Sequence, residues 1–301
     1  TDLCTGMGIL AGALCYAFSG TVLYLGMLHP FFVTPMIYLP LLLLGVERVL
    51  REKRPRVLLI SVWLAGLSNF YFFYMLALLT AGYAVVRTAA WARGTRTAAA
   101  PRKAGNAAIP VEGEKKKAAQ QTLSGKEKKC TSGRQEDSFR KRFFGMLLHL
   151  VGYAACGTMA AGAVLVPILV QFRSDPRSAT AYGLPLFYEK EYYAELWKNA
   201  VTFLNHPLYD TELCLSAVCI GAVVLLFFLR GHRLLKAAVF ILILMLCLPA
   251  AGFLMNGGAY VINRWTFAAE FLFAFVLTVV WREISCGRAE WILPQRGTGL
   301  K

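Results

Sequence analysis

Charged side chains are scarce in this sequence, 16% of its 301 residues, where soluble domains carry about 25%. With 57% hydrophobic residues as well, so little charge argues against a soluble globular domain. Histidine occurs only four times. The eight cysteines (Cys4, Cys15, Cys130, Cys156, Cys214, Cys219, Cys247 and Cys286) stand singly without a CxxC pair, a spacing that supports neither a zinc centre nor a disulfide framework. Most lie inside apolar runs and read as small hydrophobes. No clear internal repeat is evident, and inverted repeats mark many transporters. No charged stretch precedes the first apolar run, so no signal peptide is evident. With Thr1 at its start, the chain reads as a piece of a longer protein.

What the sequence has instead is repeated apolar runs long enough for about 30 Å of hydrocarbon. Its net charge of +15 is unevenly spread. Residues 87 to 142 hold 15 Lys/Arg against 5 Asp/Glu, or +10 of that total. Most of the remainder lies in short loops between apolar runs, the positive-inside pattern of membrane proteins. Basic linkers without interleaved aromatics favour anionic lipid headgroups, so membrane lipids are expected partners and nucleic acid is not.

The pattern predicts an all-α, polytopic transmembrane bundle with about eight crossings and every basic cluster on the cytoplasmic side. Residues 1–86 form N-terminal membrane helices: a span from Gly6 to Met27, a kinked or broken helix over Phe31 to Val46 with Pro35 and Pro40, and a hairpin turning near Ser68 to Tyr71. Residues 87–142 read as a disordered basic cytoplasmic linker. Residues 143–281 form C-terminal membrane helices around an outer loop, 173–212, whose 4 Lys/Arg against 6 Asp/Glu give it the opposite sign. Residues 282–301 are a cytoplasmic tail.

On this topology the residues able to carry chemistry gather at the extracytoplasmic face. His29, before Pro30, either caps a turn or serves as an acid or base. Asn69, at membrane depth, needs a partner or a cavity. Tyr71 and Tyr74 belong to an interfacial aromatic belt or to a binding surface. Arg264, beside Trp265, either snorkels or holds a phosphate. Glu270 is an intramembrane ionisable residue expected to face the bundle interior. In the outer loop Asp175, Arg177, Glu189, Glu191, Glu195, Asp210 and Glu212 are solvated charges or, individually, bases or metal ligands. Tyr188 to Asn199 reads as an interfacial amphipathic helix. A second His-Pro pair, His206-Pro207, is too little to assign a metal.

The segments Cys15-Tyr16-Ala17-Phe18-Ser19-Gly20, His29-Pro30, Pro35-Met36-Ile37-Tyr38-Leu39-Pro40-Leu41, Gly45-Val46-Glu47-Arg48, Ser68-Asn69-Phe70-Tyr71 and Tyr74-Met75 resemble, in that order, the core of the YfhO family of bacterial membrane proteins. Asn263-Arg264-Trp265-Thr266-Phe267 looks like that family's Arg-aromatic element. The likeness is good over residues 6 to 86 and looser beyond, where the basic linker looks like an insertion. It implies a relation to GT-C glycosyltransferases, which transfer sugar from a polyprenyl-phosphate carrier outside the membrane, here to an envelope polymer such as lipoteichoic acid. An outer cleft lined by aromatics and one Arg suits that implied function, and Arg264, Trp265, Asn69, Tyr71 and Tyr74 are the expected substrate contacts. The catalytic residue is left unassigned, with His29, Asp175 and Glu189 as candidates, because the family carboxylate would lie before Thr1. A divalent metal ion is a candidate cofactor, with no ligand set assigned. The competing expectation is a non-catalytic transporter or assembly factor for envelope polymers.

Overall fold

A computed structural model describes residues 3–99, 120–173, 184–202 and 207–292, and they are overwhelmingly helical. The helices are α1 (Leu3–Ala17), α2 (Gly20–Leu28), α3 (Thr34–Glu52), α4 (Arg56–Ser68), α5 (Phe70–Ala99), α6 (Gln120–Ala160), α7 (Gly162–Arg173), α8 (Lys190–Val201), α9 (Ala217–Phe228), α10 (Arg233–Cys247), α11 (Pro249–Met255) and α12 (Phe267–Ser285). They form two compact units, one of residues 1–41, 63–79 and 161–301, the other of residues 42–62 and 80–160.

In the first unit α12 is the central helix. Ten of its residues are buried, among them Phe267, Glu270, Phe273, Val276 and Val280. Helix α1 lies close against it because two glycines face it. A Cβ on Gly12 would meet Thr278 Oγ1 at 2.1 Å and the Ala274 carbonyl at 2.7 Å, and one on Gly8 would meet Trp281 Cδ1 at 2.8 Å. This small-xxx-small spacing lets two backbones approach where lipid offers no hydrophobic drive for association.

The first apolar run breaks at Phe18-Ser19 into α1 and α2, and the reason lies in α12. The Glu270 carboxylate, 1% exposed, accepts a hydrogen bond from Ser19 Oγ at 2.8 Å and one from Thr21 Oγ1 at 2.7 Å. A carboxylate in apolar surroundings is very unfavourable without such partners, and the break turns two hydroxyls towards it. Glu270 thus faces the interior, as its position predicts, and joins helices instead of lining the main cavity.

In the second unit α3, α4, α5 and α6 pack together. A Cβ on Gly45 would meet the Leu58 backbone at 2.7 Å. Glu47 of α3 pairs with Arg87 of α5, accepts from the Tyr83 hydroxyl at 2.9 Å, and pairs with Arg51 at 2.9 Å. One carboxylate therefore ties α3 to α5 near the basic cluster that follows α3.

Several expectations need correcting. The segment from Phe31 to Val46, expected as a kinked or broken helix, consists of a one-turn helix over Pro30–Phe32 followed by α3, with Pro40 inside it. The hairpin does turn at Asn69, but its second arm runs for 30 residues. Within the segment expected as a disordered linker, residues 87–99 and 120–142 are helical, as the helix-forming Ala, Lys, Arg, Gln and Glu in it allow. Residues 100–119 lie outside the described residues. The expected outward crossing from Ala237 to Leu254 bends by 93° between α10 and α11. Leu248, ahead of Pro249, is held extended at φ −116°, ψ 121°, as proline requires of its predecessor.

Among the described residues four helices are long and apolar enough to cross a membrane, or five if the bent pair counts as one span. The other three expected crossings fall on α4 and α9, which at 13 and 12 residues are about 20 Å long, and on α12, which carries Glu270, Arg282 and Glu283. Beyond α12 the chain turns back, and Ile292 N–H donates to the Phe228 carbonyl at 2.9 Å.

Candidate functional site

The best-formed cavity in the first unit, about 210 Å³, is bounded by three stretches of chain. Helix α2 and the residues after it contribute Thr21, Tyr24, Leu25, His29 and Phe32. The outer loop contributes Pro207, Asp210 and Glu212. The start of α12 contributes Arg264, Thr266 and Phe267.

Arg264 is held from several directions. Its Nε donates to Asp210 Oδ2 at 2.9 Å, and its Cζ lies 5.3 Å from the centre of the Phe32 ring and 5.7 Å from that of Tyr71. Burial works against the charge, but the hydrogen bond and ion pair with Asp210 more than offset it and raise the Arg264 pKa above its ordinary value. The guanidinium is a fixed cation, 30% exposed against 46% for Asp210. A flat, weakly hydrated cation between rings suits the planar recognition of phosphate or carboxylate.

Asp210 reaches Arg264 from a one-turn helix, Leu208–Asp210, in which Tyr209 and Asp210 adopt φ 57° and 49°. Left-handed backbone at a non-glycine residue costs of order 1–3 kcal/mol and persists only where surroundings enforce it. Here Asn263 does the enforcing. Its backbone N–H donates to the Tyr209 carbonyl at 2.8 Å. Its Nδ2 donates to the Tyr188 and Tyr192 hydroxyls at 3.0 and 3.1 Å and to Thr211 Oγ1 at 3.0 Å, while its Oδ1 accepts from Trp265 Nε1 at 3.2 Å. Tyr192 and Tyr193 in turn donate to the Leu246 and Cys247 carbonyls left open where α10 ends. In the sequence Asn263 stands out only as part of the Arg-aromatic element, and its role as the hub shows only in the structure. A polar residue immediately before the Arg-Trp pair is the available signal.

Glu212 differs from Asp210 in kind. Its Oε2 is buried with no hydrogen-bond partner among the described residues. Burial first, then the negative charges of Asp210 and Glu270, push its carboxyl up to about 7 against the opposing influence of Arg264.

The structure brings His29, Arg264 and Tyr71 together and separates the other candidates. Asn69 Oδ1 accepts from the Tyr71 and Phe72 backbone N–H groups at 3.0 and 3.4 Å. It therefore caps α5 and finds its partner there. Trp265 is wholly buried and supports Asn263 from behind. Tyr74 donates to the Leu254 carbonyl at 3.1 Å, outside the cavity lining. Glu189 is an exposed residue at the start of α8. Asp175, Arg177 and His206 lie outside the described residues. Among the described residues no three His, Cys, Asp or Glu side chains gather as a metal site, and Asp210 already serves Arg264, so these residues do not fit a divalent ion.

Comparison with known proteins adds the family. Residues 4–295 match the family described as bacterial membrane protein YfhO. The chain belongs to the YfhO family. Over 45 residues, 15% of this chain, it is 44% identical to uncharacterized protein YfhO of Bacillus subtilis (strain 168). That aligned stretch is 5% of the Bacillus YfhO protein. No solved structure shows a significant match. The matched span takes in every described cavity residue, so the Arg264 site lies within YfhO sequence throughout.

Proposed function

We propose that this chain carries the phosphate-gripping site of a membrane glycosyltransferase of GT-C type, one that moves a sugar from a polyprenyl-phosphate donor to an envelope polymer of the lipoteichoic-acid kind at the extracytoplasmic face. The supporting observation is the fixed guanidinium of Arg264 in the wall of a polar cavity in an otherwise apolar bundle. The Asp210 bond occupies Nε, one of five donors on the guanidinium. The donor arrives as a phosphodiester with one negative charge, and a second develops on the phosphate as the sugar leaves, so it competes with the single charge of a half-exposed Asp210 most strongly as the bond breaks, while the ring faces of Phe32 and Tyr71 keep the cation in place as partners change.

The phosphate is the leaving group in such a transfer. A preorganised cation beside it stabilises charge that develops only in the transition state. In membranes containing the full-length protein, labelled sugar presented on polyprenyl phosphate is expected to enter envelope polymer. Arg264→Ala is expected to lower that rate about 100-fold or more with the protein still folded. Equal rates would remove Arg264 from the site. Transfer by neither protein would favour a non-catalytic transporter or assembly factor.

A further inference from the structure

We propose that Glu212 is the proton-accepting residue of this site, taking the proton from the acceptor hydroxyl as that oxygen attacks the sugar; the inference rests on the transferase reading above. In the step, the acceptor oxygen forms a bond to the anomeric carbon while the bond from that carbon to the donor phosphate oxygen breaks. The bonding pair leaves on the phosphate beside Arg264, and the hydroxyl proton passes to the Glu212 carboxylate and then to water. The products are a glycoside and polyprenyl phosphate, and no further reactant is needed.

Two carboxylates two residues apart have been given different surroundings, and this divides their roles. Asp210 is bonded to Arg264 through Oδ2. Glu212 keeps a buried, unpartnered Oε2 and lines the main cavity together with Arg264. Environments that separate two neighbouring acids in this way are how one site assigns an electrostatic role to one and proton transfer to the other. Thr211, wholly buried between them and hydrogen-bonded to Asn263, sets their spacing.

Glu212 also faces a second, much smaller cavity of about 20 Å³, shared with Thr21, Tyr24, Asn199, Thr202 and Cys214. That volume has room for about one water molecule, and its lining is rich in hydroxyl and amide groups able to hold one. Glu212 therefore stands between a substrate-sized space and a water-sized one, the position a base needs in order to receive a proton and then release it. The charged and titratable groups around it are Asp210, Arg264, Glu270, Tyr24, His29 and Cys214. The anions and burial outweigh the cation, so the carboxyl titrates near 7, where a general base works best at neutral pH.

The test uses full-length protein and the labelled polyprenyl-phosphate donor. Glu212→Gln is expected to lower kcat by about 100-fold or more, to leave the donor KM within about threefold, and to remove the rise in rate with pH centred near 7. Glu212→Ala is expected to regain rate when formate is added, since a small carboxylate can enter the space vacated by the side chain. A purely structural side chain would show neither the lost pH limb nor the rescue. An active wild type with a Glu212→Gln variant equal in rate and pH profile overturns the assignment and leaves the transferase reading standing. A folded Glu212→Ala variant without rescue also counts against it. An inactive wild type overturns both.

Discussion

Asn263 has more hydrogen-bond partners than any cavity residue and touches no part of the cavity itself. Asn263→Ala would strand the Tyr188 hydroxyl and the indole N–H of Trp265 and take a partner from the hydroxyls of Tyr192 and Thr211, all now joined through one side chain. An orphaned buried polar group costs about 1–3 kcal/mol, so the loss should be at least about 2 kcal/mol, read as a lower thermal midpoint of the protein in detergent. Arg264→Lys should cost little stability, because the outer segment does not hang on that residue. Glu212 gives a pH-dependent case. Its folded carboxyl titrates near 7 against an ordinary value of about 4.3. Below the ordinary value both states hold the proton. Between the two values the unfolded chain ionises and the folded one does not, so stability falls as pH rises, and above about 7 the deficit is constant. The thermal midpoint of wild-type protein should drop over that window, and that of Glu212→Gln should drop less. At this scale the sequence disclosed Arg264 and included Asp210 and Glu212 among six similar carboxylates of the outer loop. A left-handed turn sets Asp210 against Arg264 and a buried oxygen marks Glu212, and both depend on tertiary partners distant in sequence.

Helix breaks hold the helices of the first unit in place. The break between α1 and α2 turns Ser19 and Thr21 to Glu270, the break at Asn69 starts α5 with a capping side chain, and the bend at Pro249 sets α11 against the Asn263 segment. A Cβ on Gly252 of α11 would come within 2.6 Å of Asn263 Oδ1. Hydropathy marked the apolar runs and the two proline sites and read the first run as one span, which Leu3–Met27 is long and apolar enough to be, but it gave no sign of the break within it. The cause of that break is a carboxylate some 250 residues away in α12, and no local pattern reports it. The Gly8-Gly12 spacing was legible and went unread. It yields a contrast within one helix. Gly12→Leu should force α1 off α12, because the obstructing atoms include the Ala274 backbone, whereas Gly6→Ala, with nothing within 4 Å, should fold as wild type. Thermal midpoints of the two variants check this. A Gly12→Leu protein as stable as Gly6→Ala would mean that close packing of α1 is not needed.

At the scale of the whole molecule, large apolar side chains are widely exposed, including Met27 at 89%, Met159 at 79% and Leu148 at 72%. Such exposure in water would mark an aggregating surface, and lipid removes the penalty. The apolar character and the basic clusters were fully legible, because bilayer thickness and positive-inside bias act on composition rather than on tertiary contacts. The number of crossings was not, since α4 and α9 are apolar but too short, and apolarity alone does not distinguish a span from a buried or re-entrant helix. Orientation can still be tested apart from that number. Positive-inside bias places the basic cluster around Arg54 inward, and the transferase reading requires the Arg264 cavity to open outward. In a protein otherwise free of cysteine, exposed Glu189→Cys should react with a membrane-impermeant maleimide on intact cells, and exposed Arg54→Cys only after permeabilisation. Reaction of Glu189→Cys only after permeabilisation would place the Arg264 cavity on the face where no polymer acceptor waits, and the transferase reading would fail on topology before any rate was measured.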